Sequence, residues 1–377
     1  MMKNLNDKHR FVTQAIHGGR VAESTAVPIY QGVNAPRASG NTDYVSDFGG
    51  SGGPTIASLE SLMMTLEEAR WSLATSTGIG AISLLFLSVL NQGDRIIAHR
   101  CIYSLATRLL NDELSQKMGL DICWVDMRDL NALENALEMP TRLVYFEPIA
   151  NPAMHLLDVK AITKLGHEAG AIVAVDNTLL SPYLLRPLNL GVDLVIHSAT
   201  KYLGGHGDAL AGIISGNRDD LNQNLMRMRT LLGLFLAPMN AFLIIRGIRT
   251  LPFRMPQHCQ NAAELARFLR HQDWVTAVRY PGLESFEATQ SAQSQQKAFG
   301  ALLGCILADG VDPEEFRQQL KLCRPWGSLG DVETLVAVPS TGELRDVPPN
   351  FLRVAVGLED IEDVKADFLQ AYNALKS

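Results

Sequence analysis

The chain predicts an α/β protein: a doubly wound, mainly parallel sheet followed by a smaller C-terminal α+β domain. Two observations carry that expectation. Short apolar runs alternate with amphipathic stretches up to about residue 250, as they do where each strand is followed by a helix crossing back over the sheet. At least one run, Ala171-Ile172-Val173-Ala174-Val175, is apolar throughout, which is how a strand buried on both faces reads.

Residues 1–55 are rich in Gly, Ser, Asn and Pro and show little periodicity, so they predict an arm rather than a core. A large domain is expected over residues 56–250. Within it Thr75-Ser76-Thr77-Gly78-Ile79-Gly80 precedes an apolar helix, and strands are expected near Arg95–Ala98, Ile122–Val125, Leu143–Phe146, Ala171–Val175, Asp193–His197 and Ala211–Ile214. Over residues 251–377 the order changes to a helix at Asn261–Arg270, a strand at Leu302–Leu307, a helix at Pro313–Leu322, a strand at Leu352–Val356 and a terminal helix from Ile361.

Composition limits the function classes. With 377 residues, 47% of them hydrophobic, the chain can bury a large core divided between two domains. Its 33 basic and 40 acidic residues give a net charge of -7 without long runs, so no basic stripe is offered to nucleic acid or anionic lipid, and small molecules are the expected partners. The first seven residues lack the apolar centre of a signal peptide, and the longest apolar run, around Ile79 to Leu90, is too short to span a bilayer; a cytoplasmic protein is expected. Five scattered cysteines without paired spacing favour a reducing compartment over a disulfide framework, and no metal site is expected.

The chemistry turns on Lys201. It sits in Ser198-Ala199-Thr200-Lys201-Tyr202, between the apolar run Asp193–His197 and the glycine-rich turn Gly204–Asp208. A lysine at a strand end, with hydroxyls three and one residues before it, suits a Schiff-base lysine whose neighbours hold a phosphate. The same spacing also fits a lysine snorkelling from a buried strand. Asp176 closes the run Ala171–Val175, where open α/β sheets place ligand contacts. It reads either as the acid that keeps a pyridine nitrogen protonated or as a helix cap or Asx-turn. Thr77-Gly78-Ile79 reads as a helix N-terminus, able to bind an anion or simply capped.

Taken in order, these residues and many others resemble the fold-type I pyridoxal-phosphate enzymes of cysteine and methionine metabolism, which include cystathionine synthases and lyases. The matching stretches are Ala15–Gly19, Pro28–Tyr30, Pro54-Thr55, Leu59-Glu60, Gly93-Asp94, Tyr103, Glu147, Asn151-Pro152, Val175–Thr178 and Ser181-Pro182. They continue with His197–Tyr202, Arg246–Leu251, Tyr280–Leu283, Ser328–Gly330 with Glu333, and Arg353–Asp360, so the likeness covers nearly the whole chain.

The resemblance implies an aspartate-aminotransferase-like fold and pyridoxal 5'-phosphate as cofactor, tethered to Lys201. It implies that Asp176 faces the pyridine nitrogen and that Tyr103 stacks on the ring and exchanges a proton with the leaving group. Thr77, Gly78, Ile79, Ser198 and Thr200 would hold the phosphate. Asn151, Ser328 and Arg353 would receive the substrate's α-carboxylate, Arg353 as a bidentate partner. Read without the resemblance, Tyr103 is a core tyrosine and Arg353 a rim ion pair. An N-terminal arm packing on a neighbouring subunit and a homotetramer of active dimers are implied as well.

The chain departs from the family pattern before Pro54. The usual Tyr-x-Arg element, which supplies phosphate ligands to the neighbouring subunit, reads Phe48-Gly49-Gly50. Losing both ligands would weaken cofactor binding roughly 10²-fold; Tyr44 or Arg37 would substitute under a shifted alignment. Gly327 stands where the cystathionine branch carries a glutamate, and Leu105 where methionine γ-lyases carry a cysteine. The expected activity is C–S elimination at Cβ or Cγ of a sulfur-containing amino acid such as cystathionine. The alternatives are γ-replacement on an O-acylhomoserine and a non-catalytic relative that binds the cofactor.

Overall fold

The computed structural model describes residues 9–19, 25–32, 53–340 and 346–376. Seven strands form the large sheet: β1 Trp71–Thr75, β2 Arg95–His99, β3 Asp121–Val125, β4 Leu143–Phe146, β5 Ile172–Asp176, β6 Leu194–Ser198 and β7 Gly212–Gly216, in the order β1-β7-β6-β5-β4-β2-β3. Strands β6, β5, β4, β2 and β3 run parallel, whereas β7 is antiparallel to both β6 and β1. The central strands are buried along their length, and apolar clusters cover the sheet on both faces. That is the doubly wound arrangement expected.

All six strands expected in this part are present, shifted by a residue or two. β1 was not foreseen. Trp71-Ser72-Leu73-Ala74-Thr75 is short and mixed in polarity, and its place is set by pairing with a strand far along the chain, Ser72 opposite Ser215 with a 2.9 Å hydroxyl contact.

The smaller sheet has the order β10-β11-β9-β8, from β8 Val275–Arg279, β9 Leu302–Leu307, β10 Leu335–Ala337 and β11 Phe351–Ala355, all antiparallel. β9, β11 and the terminal helix Ile361–Leu375 lie where expected; β8 and the three-residue β10 are additional. The helix expected at Asn261–Arg270 is the last third of a 33-residue helix, Pro238–Arg270, which continues through Pro252 and Pro256. Proline removes one helical hydrogen bond and crowds the preceding turn, so each reads as a stop. Here the helix packs against Phe11–His17, Pro54–Glu67, β8 and Ile361–Leu375, and tertiary contact outweighs the local cost.

Among the described residues no helix is long and apolar enough to cross a membrane.

Candidate active site

The carboxyl ends of β2, β4, β5 and β6 and the start of the helix Gly78–Val89 converge on a cavity of about 270 Å³. Its walls include Thr77, Gly78, Ile79, Tyr103, Asn151, Asp176, Ser198, Thr200, Lys201 and Arg353. Ser328 stands behind them, its hydroxyl accepting a hydrogen bond from Lys201 Nζ at 2.7 Å. All eleven residues singled out in the sequence therefore meet in one place. Phe48-Gly49-Gly50, Tyr44 and Arg37 lie outside the described residues.

One end of the cavity is formed by a helix start. Thr77 caps the helix, its hydroxyl accepting from Gly80 N–H at 3.0 Å. The N–H groups of Gly78 and Ile79 belong to the first turn, where no intrahelical acceptor exists, so they remain as donors beside the helix's positive end. Ser198 lies over this turn: a Cβ on Gly78 would come within 2.6 Å of its hydroxyl. The Thr200 hydroxyl is engaged with the backbone of Ala211, accepting from its N–H at 3.1 Å.

Asp176 ends β5. One oxygen accepts from Thr178 N–H at 3.0 Å and from the Thr178 hydroxyl at 2.5 Å, so the Asx-turn foreseen is present, together with a place on the cavity wall. Burial pushes this carboxyl above the usual range; the Thr178 hydrogen bonds and the His197 ring behind it act the other way. A carboxylate so far from water needs a cationic neighbour.

Lys201 is pulled down to about 8, first by burial and then by the Arg353 guanidinium, with Asp331 opposing. Its turn is held closely by the loop from the smaller sheet. Gly330, at φ +78, approaches so near that a Cβ would sit 2.6 Å from Tyr202 N, which only glycine allows. An amine of this basicity reacts as a nucleophile only when neutral. The apoprotein should therefore capture pyridoxal phosphate faster as pH rises through about 8 and level off above it; stopped-flow absorbance checks this, and a rate still climbing toward pH 10 would contradict it.

Arg353, in β11, donates from Nη1 to Asn151 Oδ1 at 3.2 Å and from Nη2 to the carbonyls of Gly327 and Ser328 at 2.7 and 2.9 Å. The Tyr103 phenol is raised by burial, then by Asp176 and Glu147, against Arg353, so it stays protonated and can act as a proton donor.

Glu147 and Thr178 are cavity residues to which the sequence assigned no role, although both fall inside matched stretches. Buried Glu147 accepts Tyr103 N–H at 2.6 Å through one oxygen and Asn151 N–H at 3.0 Å through the other. The signal available was a carboxylate immediately after a fully apolar strand. Ile82, Leu179, Leu210 and Leu329 supply apolar wall.

The donor set fits the expected cofactor. It offers anion donors at one end, a buried carboxylate hydrogen-bonded by Thr178, and a weakly basic amine on the same wall.

Comparison with known proteins points the same way. A profile of the family described as Cys/Met metabolism PLP-dependent enzyme matches residues 12–373. The chain is 36% identical to L-methionine gamma-lyase of Treponema denticola, covering 98% of each chain. It is 35% identical to cystathionine beta-lyase of Lactococcus lactis subsp. cremoris, over 95% of this chain and 98% of that one. The solved cystathionine gamma synthase of Xanthomonas oryzae pv. oryzae, in complex with cystathionine, superposes with a TM-score of 0.92 at 32% identity, covering 98% of this chain and 99% of that one.

Proposed function

Since the chain belongs to the Cys/Met metabolism PLP-dependent enzymes, and so is an enzyme that uses pyridoxal phosphate, we propose that it is a C–S lyase. Its substrate is a sulfur-containing amino acid, a thioether of the class that includes methionine and cystathionine, cleaved by β- or γ-elimination. The observation that carries this reading is the placing of Lys201, Asp176 and Arg353 on the walls of one cavity.

Bound pyridoxal phosphate supplies an electron sink for the charge that develops at the substrate Cα. Lys201 Nζ would tether the cofactor and, when free, would take the Cα proton. Asp176 would hold the proton on the ring nitrogen. The N–H groups of Gly78 and Ile79, with the Thr77, Ser198 and Thr200 hydroxyls, hold the phosphate. Arg353, Asn151 and Ser328 receive the α-carboxylate, and Tyr103 hands its phenolic proton to the departing sulfur.

The charged residues on the cavity wall are Glu147, Asp176, Lys201 and Arg353, and each already has a task. Ile79, Ile82, Leu179, Leu210 and Leu329 make up much of the rest, and a side chain at Gly327 would enter open space. Among the described residues, therefore, an uncharged thioether suits the cavity better than one ending in a second amino-acid group, whose charges would find no partner among them.

Incubation of the loaded enzyme with methionine or cystathionine should release keto acid and thiol without an added acceptor, with kcat/KM at least about tenfold higher for methionine. Product formation only in the presence of a second thiol would establish γ-replacement instead, and a preference for cystathionine would refute the reading of the apolar wall.

The N-terminal arm expected to pack on a neighbour supports a homotetramer of dimers. The odd number and scattered spacing of the five cysteines support a reducing, cytoplasmic setting.

A further inference from the structure

At the carboxyl ends of β2 and β3 lies a buried chain of polar groups that the reaction does not use. His99, the last residue of β2, accepts the Met127 N–H at Nδ1 at 3.1 Å. In a neutral ring its proton is then on Nε2, which lies 3.0 Å from His155 Nδ1. His155 is left with its own proton on Nε2, 2.7 Å from Asp346 Oδ2. Each imidazole uses one nitrogen as acceptor and the other as donor, so the chain has a single direction.

The surroundings keep it that way. Arg100 and Arg128 reach the Asp346 carboxylate at 2.8 and 3.4 Å, and Asp126 pairs with Arg128 at 2.5 Å and Arg100 at 3.7 Å. Arg279, from β8, donates to the Asp346 backbone carbonyl at 2.6 Å, and buried Cys101 stands in the same neighbourhood. Burial, and next the Arg128 charge, lowers His155 to about 4; burial and then His155 lower His99 further. Both rings are neutral at working pH.

His99, Asp126 and His155 also bring possible metal ligands within 4.8 Å of one another. A cation there would take one nitrogen from each ring, breaking the His99–His155 hydrogen bond or its neighbours, while facing two guanidinium groups, so the geometry favours the hydrogen-bonded chain.

Sequence neighbours tie this chain to the cavity. His99 precedes Tyr103 by four residues, His155 follows Asn151 by four with its carbonyl accepting Ala150 N–H at 2.9 Å, and Asp346 precedes the strand bearing Arg353. Glu147 joins the Tyr103 and Asn151 segments at the cavity; the two imidazoles join the same segments a few residues away and extend the link to the smaller sheet.

We propose that the His99–His155–Asp346 chain is a positioning device that locks the smaller sheet to the Tyr103 and Asn151 loops and so keeps Arg353 and Asn151 in register for the substrate's α-carboxylate. This rests on the reading of Arg353 and Asn151 as carboxylate ligands.

The test uses the pyridoxal-phosphate-loaded enzyme. His155→Phe keeps the ring's bulk and removes both nitrogens; His155→Gln retains an amide donor toward Asp346. His155→Phe should raise KM about tenfold, the effect of losing one well-placed hydrogen bond, with kcat within about twofold. The dissociation constant of glycine, read from the cofactor's absorbance, should rise by the same factor. His155→Gln should recover part of both losses, which a purely packing role would not predict. Asp346→Asn, at a partly exposed position, should raise KM at least about threefold and decides the matter if His155→Phe does not fold. Unchanged KM and glycine affinity in the folded variants, alongside a large loss in Arg353→Ala, would overturn the inference alone. An unchanged KM in Arg353→Ala would overturn the carboxylate reading and the inference with it.

Discussion

Lys201→Ala should lower turnover of any substrate by at least about 10³-fold, because one change removes both the tethering amine and the base at Cα. The apoprotein should still take up pyridoxal phosphate noncovalently through the helix start, Ser198 and Thr200. Borohydride treatment followed by peptide mass analysis would then find no cofactor fixed to the peptide that carries residue 201, whereas the parent protein carries one there. Retention of more than a tenth of the activity would end the assignment of this lysine. Survival of a binding or regulatory role in the variant would instead favour the non-catalytic alternative.

Asp176→Asn should be the next most damaging change, and it should act in opposite directions on the two forms of the protein. With cofactor bound, it would remove the anion proposed to face the ring nitrogen; loss of one partner of a buried charge pair costs about 3–5 kcal/mol, so kcat should fall by about 10²- to nearly 10⁴-fold. Without cofactor, the carboxylate is a burden. Its folded-state pKa is raised by burial, so the folded chain holds its proton more tightly than the unfolded chain does. Stability is therefore given up as pH rises from the unfolded value toward the folded one, and the penalty is complete only above the folded value. Apo Asp176→Asn should melt no lower than the apo parent, yet gain less from added pyridoxal phosphate. Thermal melts with and without cofactor measure both. A variant that melts lower in the apo form and gains as much from the cofactor as the parent would show that the carboxylate serves packing only.

How much of this was legible beforehand depended on where each signal resides. Lys201, Asp176 and the Thr77-Gly78-Ile79 turn sit at strand or helix ends, where side-chain type and chain direction are local properties, and all three appear on one cavity wall. The parallel strands were legible because burial on both faces writes itself into consecutive apolar residues. β1 was not, because its existence depends on β7 rather than on its own residues. The helix expected at Asn261–Arg270 was foreseen too short, since Pro252 and Pro256 lie inside the long helix and packing along it carries them. Glu147 was visible as a matched residue, but its task is to hold two backbone N–H groups from different segments, and no local pattern records which backbone a carboxylate will find. His99, His155 and Asp346 were hidden for the same reason, lying in three separate segments joined only in space.

The antiparallel seam between β1 and β7 also governs when the protein can first hold its cofactor during synthesis. Ser72 and Ser215, paired across that seam, are 143 residues apart in sequence, and Thr75 pairs with Gly212 just before the Thr77 turn begins. Until the ribosome has released β7, the Thr77 turn has neither the strand that fixes it nor Ser198 beside it. Closing so long a segment costs more entropy than the local crossovers between the parallel strands. Cofactor capture should thus come late in folding, so that a truncated or stalled chain cannot sequester pyridoxal phosphate.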